Sequence, residues 1–278
     1  MAFKLIEGTF HVVGYSPDGD SVRFMPNKPE TLGLLGGSKS KINSQGHVQL
    51  RLEAIDTLET HFQGLHQPLD LAEAAMNKLM GLLEIDSIKW NEADTKVVAA
   101  NDQTRGFIIA REVEKNGRPV SFAFFGDPIA EDGGDIYIQP DIISKSINAE
   151  MLRSGLAYLT YYNGLFSDIR NSLTKISTQA RSGGMGVWSR DVTNTGFNVE
   201  SLQSMTEDYV VLPKLFRRLA AYLEGGGTGQ GFKAHLETLQ EKVTVISTVH
   251  STHFDTIIEE QGVRILMTEQ PENLIFAG

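Results

Sequence analysis

The stretch His47-Val48-Gln49-Leu50-Arg51-Leu52-Glu53-Ala54-Ile55-Asp56-Thr57-Leu58-Glu59 decides how the chain is read. Val48, Leu50, Leu52 and Ala54 fall on one face and Gln49, Arg51 and Glu53 on the other, the period-two pattern of a half-buried strand over His47–Ile55. Asp56 to Thr60 is a polar strand exit, so Arg51, Asp56 and Glu59 gather at the end of one strand.

Working outward, residues 8–15 and Asp20–Phe24 flank the turn signal Ser16-Pro17-Asp18-Gly19 and read as a hairpin. Residues 26–46 read as a long mobile loop. Pro68 opens a helix with the stripe Leu69, Ala72, Met76, Leu79 and Leu83. Residues 95–100 and 105–113 read as strands; Asn116-Gly117 signals a type I′ turn, with Pro119–Phe125 as the return strand. An acidic loop over 126–141 precedes a short helix, Ser144–Arg153, ended by Gly155. Leu165, Ile169, Leu173, Ile176 and Ala180 line a longer helix closed by Gly183-Gly184. Hairpin-linked strands with interspersed helices suggest a small barrel with helices packed on it.

The remainder, 191–278, reads as a separate α+β unit. A helix is expected over Glu200–Glu224, a glycine-rich break at Gly225–Gly231, a short helix from Phe232, and strands over Val243–Val249 and Val263–Met267. Gly225–Gly231 lacks the Gly-Lys-Ser/Thr ending of a phosphate loop and follows a helix, so it reads as an interruption. His250 and His253 would face opposite sides of a strand, a poor arrangement for one metal ion. Asp132-Gly133-Gly134-Asp135 reads as an exposed loop, and Trp188 as packing against the preceding helix.

Composition bounds the function. Of 278 residues, 41% are hydrophobic and 22% charged, which is ordinary globular usage. Cysteine is absent, which excludes disulfides, thiolate nucleophiles and Cys-ligated zinc. No long apolar run marks a signal peptide or a membrane span, so a cytoplasmic protein is expected, unless a leader has been removed. The net charge of −10 argues at first against a nucleic-acid partner. It divides unevenly, however: 19 basic and 23 acidic residues in 1–190, against 6 and 12 in 191–278. If Asp20, Asp56 and Glu59 serve to hold a cation, the bare count overstates repulsion of a phosphate chain.

Three polar clusters fit together as a phosphodiesterase centre: Asp18-Gly19-Asp20-Ser21, Arg51 with Asp56-Thr57-Leu58-Glu59, and Arg105. Asp20, Asp56 and the Thr57 carbonyl are hard oxygen donors suited to Ca²⁺. Glu59 stands three residues beyond Asp56, where it can deprotonate a water. Two guanidiniums, Arg51 and Arg105, can stabilise charge growing on a phosphate.

The ordered set resembles the staphylococcal-nuclease-like (thermonuclease) family. It comprises Asp18-Gly19-Asp20-Ser21, Arg51-Leu52-Glu53-Ala54-Ile55-Asp56-Thr57-Leu58-Glu59, Arg105-Gly106, Gly155-Leu156-Ala157 and Val187-Trp188-Ser189. The resemblance covers residues 8–190. It implies an α+β fold: a five-stranded OB-fold β-barrel with three packed helices over 1–190, followed here by a C-terminal α+β extension over 191–278. It further implies Ca²⁺-dependent (or other divalent-cation-dependent) hydrolysis of DNA or RNA. Asp20, Asp56 and Thr57 would be metal ligands, Arg51, Glu59 and Arg105 catalytic residues, and Tyr161 a nucleotide contact. Ser21 stands where the family has Thr. Leu58 replaces a Pro, which loosens the loop holding Glu59. Asp102-Gln103-Thr104 replaces Lys-Tyr-Gly, which removes a phosphate grip. A competing reading is a non-catalytic OB-fold module that binds nucleic acid or protein. Residues 191–278 are the candidate surface for a second copy or a protein partner; no membrane partner is expected.

Overall fold

The structure, a computed structural model, describes residues 2–277. The chain divides into two compact units, 1–53 with 76–151, and 54–75 with 152–278. The expected division at 190/191 is not where these units part. Residues 191–278 share one hydrophobic core with residues from 54–75 and 152–190.

The first unit is built on a strongly curved sheet. The strand Phe3–His11 pairs antiparallel with Arg23–Pro26 on one side and with Thr104–Val113 on the other. Arg23–Pro26 pairs with Val48–Gln49, and Thr104–Val113 pairs with Pro119–Phe125. Pro119–Phe125 in turn runs parallel to Arg51–Leu52. Val48–Gln49 and Arg51–Leu52 are one stretch of chain, so the two ends of the sheet meet on it and the barrel is nearly closed. Five stretches of chain thus form an OB-type barrel. Ile6, Phe10, Phe24, Val48 and Ile108 on one face of the sheet, and Leu5, Ile109 and Phe122 on the other, are fully buried. Each such side chain is worth about 1.5–3 kcal/mol relative to exposure.

The alternation read from the sequence holds from Val48 to Leu52 and then fails. Ala54 adopts a left-handed backbone, φ 66°, and the expected continuous strand breaks there. Ile55–Asp56 forms a separate two-residue strand that pairs with Tyr158–Leu159. Before the break, the buried amide of Asn148 fixes the strand end by donating to the carbonyls of Glu53 (2.9 Å) and Ser121 (3.0 Å).

Other expectations are corrected in detail. The 26–46 segment contains a 3-10 turn, Pro29–Leu34, and a strand, Gly36–Gly37, that pairs with Glu112–Val113. At Asn116-Gly117 only Gly117 has positive φ, 86°, so the turn is not type I′. Residues 126–141 include the strand Asp135–Ile136 and the start of the helical turn Pro140–Ile143, and the following helix is Ile147–Arg153. Leu69, placed on the apolar stripe, is 39% exposed.

In the second unit, Leu58, Val187, Phe216, Leu219, Phe254 and Phe276 belong to one buried cluster. The helix expected over Glu200–Glu224 is two helices, Leu202–Glu207 and Pro213–Glu224. Pro213 cannot continue a helix from before it, because it lacks the N–H and disfavours helical geometry at Leu212. The helix Ser167–Ser182 and the helix Phe232–Leu239 form as expected. Lys242–Val245 is shorter than expected and pairs with His250–His253 and Leu274–Phe276. Phe197–Asn198, Arg264–Met267 and Ile258–Gln261 make a second small sheet.

Gly155 in the Gly-Leu-Ala stretch has φ +71°, and a Cβ there would lie 2.3 Å from the Met185 carbonyl oxygen. Both backbone sign and space demand glycine. Gly155→Ala is expected to cost about 1–3 kcal/mol in urea unfolding; an unchanged midpoint would contradict this packing.

Candidate active site

The sequence-derived residues are distributed over both units. Asp20, Arg51 and Arg105 belong to the first; Asp56, Thr57, Glu59 and Tyr161 belong to the second.

In the first unit, the Asp18 side chain accepts the N–H groups of Asp20 (3.3 Å) and Ser21 (2.8 Å) and shapes the turn. The Asp20 carbonyl accepts the N–H of Leu52 at 3.0 Å, which sets Asp20 beside the strand carrying Arg51. Arg51 is half-buried. Arg105 stands opposite Thr9 in the sheet, with a side chain 72% exposed and 3.6 Å from Asp127. An exposed pair of this kind is worth little and leaves the guanidinium accessible.

In the second unit, Asp56 and Thr57 are buried, each 3% exposed. Burying a carboxylate demands a compensating charge. Arg217 of the helix Pro213–Glu224 supplies it. One guanidinium nitrogen donates to Asp56 Oδ1 at 3.1 Å and the other to Oδ2 at 2.8 Å. The first nitrogen also donates to Glu59 Oε1. The contact to Asp56 is the fork-to-fork arrangement that guanidinium and carboxylate planes favour. Burial opposes the charge on Arg217, but the Asp56 and Glu59 carboxylates outweigh it and hold its pKa well above the ordinary arginine range.

The loop after Asp56 is clamped. Gln67 is fully buried; its side-chain oxygen accepts the Glu59 N–H at 3.3 Å and its amide donates to the Val211 carbonyl at 2.8 Å. Its own N–H donates to the Glu59 carbonyl at 2.9 Å. Leu58 is fully buried in the core. The expectation that Leu58, in place of Pro, loosens this loop is therefore corrected: Gln67 and burial of Leu58 hold it instead.

Tyr161, expected to contact a nucleotide, is fully buried. Its hydroxyl donates to the Arg170 carbonyl at 2.8 Å and lies 2.9 Å from the Thr174 hydroxyl. Burial pushes its pKa up. This side chain is core, and a nucleotide cannot reach it in this arrangement. Trp188 packs edge-on against Tyr158, with ring centroids 4.9 Å apart and the Arg181 guanidinium over its ring.

The expected calcium donors do not fit a cation as they stand. Both oxygens of Asp56 engage Arg217. Among the described residues, no group of three or more His, Asp or Glu side chains is placed to hold a metal ion.

Sequence reasoning missed Arg217, Gln67 and Asn148. A signal for Arg217 existed: Lys214, Arg217 and Arg218 supply three of the six basic residues in 191–278, on successive turns of one helix. Lys214 and Arg218 both pair with Glu241, at 2.6 and 2.7 Å.

The staphylococcal nuclease homologue family model matches residues 49–190, just over half of the chain, and the chain belongs to that family. Membership places it in a nuclease and nucleic-acid-binding class. No curated protein matches the chain. No helix among the described residues is long and apolar enough to cross a membrane.

Glu241 anchors the helix that carries Arg217. Burial alone would raise its pKa, but the hydrogen bond from Arg218 and the charge of Lys214 win and hold it below its usual 4.5. A depressed carboxyl contributes stability above its ordinary pKa and loses it as pH falls through the depressed value. Glu241→Gln is expected to cost about 1–3 kcal/mol at neutral pH. The cost should shrink as urea titrations move below pH 4.5; a deficit that grows in acid would contradict the pairing.

Proposed function

We propose that the chain is a nuclease that hydrolyses phosphodiester bonds of DNA or RNA. The observation that carries this reading is the retention, within the family-matched residues 49–190, of Arg51, Asp56, Thr57, Glu59 and Arg105 in the family's order. In this reading Glu59 takes the proton of the attacking water. Arg51 and Arg105 stabilise the charge that develops on the non-bridging oxygens. Calcium dependence belongs to the proposal through the donor chemistry of Asp20, Asp56 and the Thr57 carbonyl, all hard oxygens. Arg217 engages both oxygens of Asp56, so these donors are occupied in this arrangement. The 191–278 segment supplies the residue that closes the acidic pair.

A second reading is a binding module without chemistry. The same Arg217 contact favours it, since a carboxylate held in a stable ion pair is a poor ligand and a poor base.

The deciding assay incubates the protein with single- and double-stranded DNA and RNA in Ca²⁺, Mg²⁺, Mn²⁺ and EDTA in parallel. The nuclease reading expects cleavage that EDTA abolishes. It also expects turnover reduced by at least about 10²-fold in Glu59→Gln, Arg51→Ala and Arg105→Ala. Binding with no cleavage under any condition selects the module; cleavage undiminished by EDTA overturns the calcium dependence.

A further inference from the structure

We propose that the stacked imidazoles of His11 and His47 form an acid-released latch, which ties the turn 43–47 to the end of the strand Phe3–His11 and lets go when both rings gain protons. The latch lies within the first compact unit and does not depend on the proposed cleavage.

Three observations carry it. The first is the stack itself. Both histidines are buried, with ring centroids 4.1 Å apart and an interplanar angle of 31°. Neutral aromatic rings gain from such contact. Two imidazolium ions in the same place would be like charges held together away from water, which is costly.

The second is the surroundings. His11 Nε2 lies 2.7 Å from the Thr9 hydroxyl, and His47 Nδ1 lies 2.9 Å from the Tyr15 hydroxyl. A hydroxyl can face either protonation state of an imidazole, so neither contact selects one. Burial and charge do. The Arg23 guanidinium sits over the Tyr15 ring, 4.6 Å from its centroid, and opposes a proton on His47. Arg105 stands opposite Thr9 in the adjoining strand, and the Lys96 side chain passes beside Gly14; neither brings negative charge. Asp102 favours protonation of both rings, but its Oδ2 already accepts the Val12 and Val13 N–H groups at 2.8 and 3.0 Å. Burial first, then the charge of His47 on His11 and of Arg23 on His47, outweigh Asp102 and hold both imidazoles below their ordinary 6.5.

The third is position. The turn closes on itself: the Asn43 N–H donates to the His47 carbonyl and the His47 N–H to the Asn43 side chain, each at 2.9 Å. It is joined to the first strand through the ring stack and to Tyr15 through the Asn43 amide, 2.6 Å from the hydroxyl. The chain then runs through Val48–Gln49, paired with Arg23–Phe24, directly into Arg51. Thr9, the partner of His11, stands opposite Arg105. Release of the latch therefore loosens the roots of both strands that carry these arginines.

The sign follows from proton linkage. Open chain binds protons near the ordinary 6.5, whereas the latched rings bind them only at lower pH. The latch is thus fully effective above 6.5, and it weakens as pH falls from there through the lowered values. Each ring contributes up to about tenfold per pH unit to the opening equilibrium. A phenylalanine pair would fill the same space without this response.

Hydrogen exchange on the full chain, read by mass spectrometry, is the test. Protection in residues 9–15 and 43–50 should fall by at least about tenfold between about pH 7 and pH 5.5, after correction for the intrinsic pH dependence of exchange. In His11→Gln/His47→Gln the two segments should show the same protection at both pH values, whatever its level. Unchanged protection in the unaltered chain, or an equal fall in the variant, overturns the proposal. If the double variant does not fold, an NMR titration of the histidine ring signals in the unaltered chain decides. Protonation of both rings together with loss of protection supports the latch. Protonation of both rings with the two segments still protected overturns it.

Discussion

A buried carboxylate has to be neutralised, and the second compact unit is organised around that constraint at Asp56. The carboxylate sits on a two-residue strand paired with Tyr158–Leu159, inaccessible to solvent. Arg217 meets it with both guanidinium nitrogens and reaches Glu59 as well. The desolvation cost of such charges is large, and only close, doubly hydrogen-bonded geometry offsets it. The helix Pro213–Glu224 carries that group, with its apolar face buried in the core and its Lys214 and Arg218 paired with Glu241. Gln67 fixes the loop so that Glu59 lies within its reach.

This arrangement changes the meaning of the acidic composition. The segment 191–278 carries 12 acidic and 6 basic residues, yet half of those basic residues lie on one helix and face carboxylates. The net charge of −10 is therefore a poor guide to the local field at Asp56. An acidic pair that looks ready for a cation in the sequence already has one, supplied by the chain.

Much of the barrel was legible because its code is local. Alternation from Val48 to Leu52, the turn at Asp18-Gly19 and the strands around Asn116-Gly117 each depend on a few neighbouring residues. The break at Ala54 was not legible: alanine rarely adopts positive φ, and nothing in its neighbours announces it. Pro213 did announce the split of the 200–224 helix and was outweighed by the apolar periodicity around it. The site was half legible. Its candidate carboxylates and arginines could be nominated by order and spacing, because they stand in short local motifs, Asp18 to Ser21, Arg51 to Glu59 and Arg105-Gly106. Arg217 stands out in the basic cluster with Lys214 and Arg218, but its partner could not be read, since it lies 161 positions from Asp56 and the pairing exists only in the folded core. Tyr161 shows the converse error, where spacing suggested a ligand contact and packing made a core side chain.

The most direct test of the ion pair is a double-mutant cycle on unfolding free energy with Arg217→Gln, Asp56→Asn and the two combined. Residues in one buried network deviate from additivity by about 0.5–3 kcal/mol. The account predicts a coupling near the upper end of that range, about 2 kcal/mol or more, with the double variant less damaged than the two single losses summed. Additivity to within about 0.5 kcal/mol would contradict it.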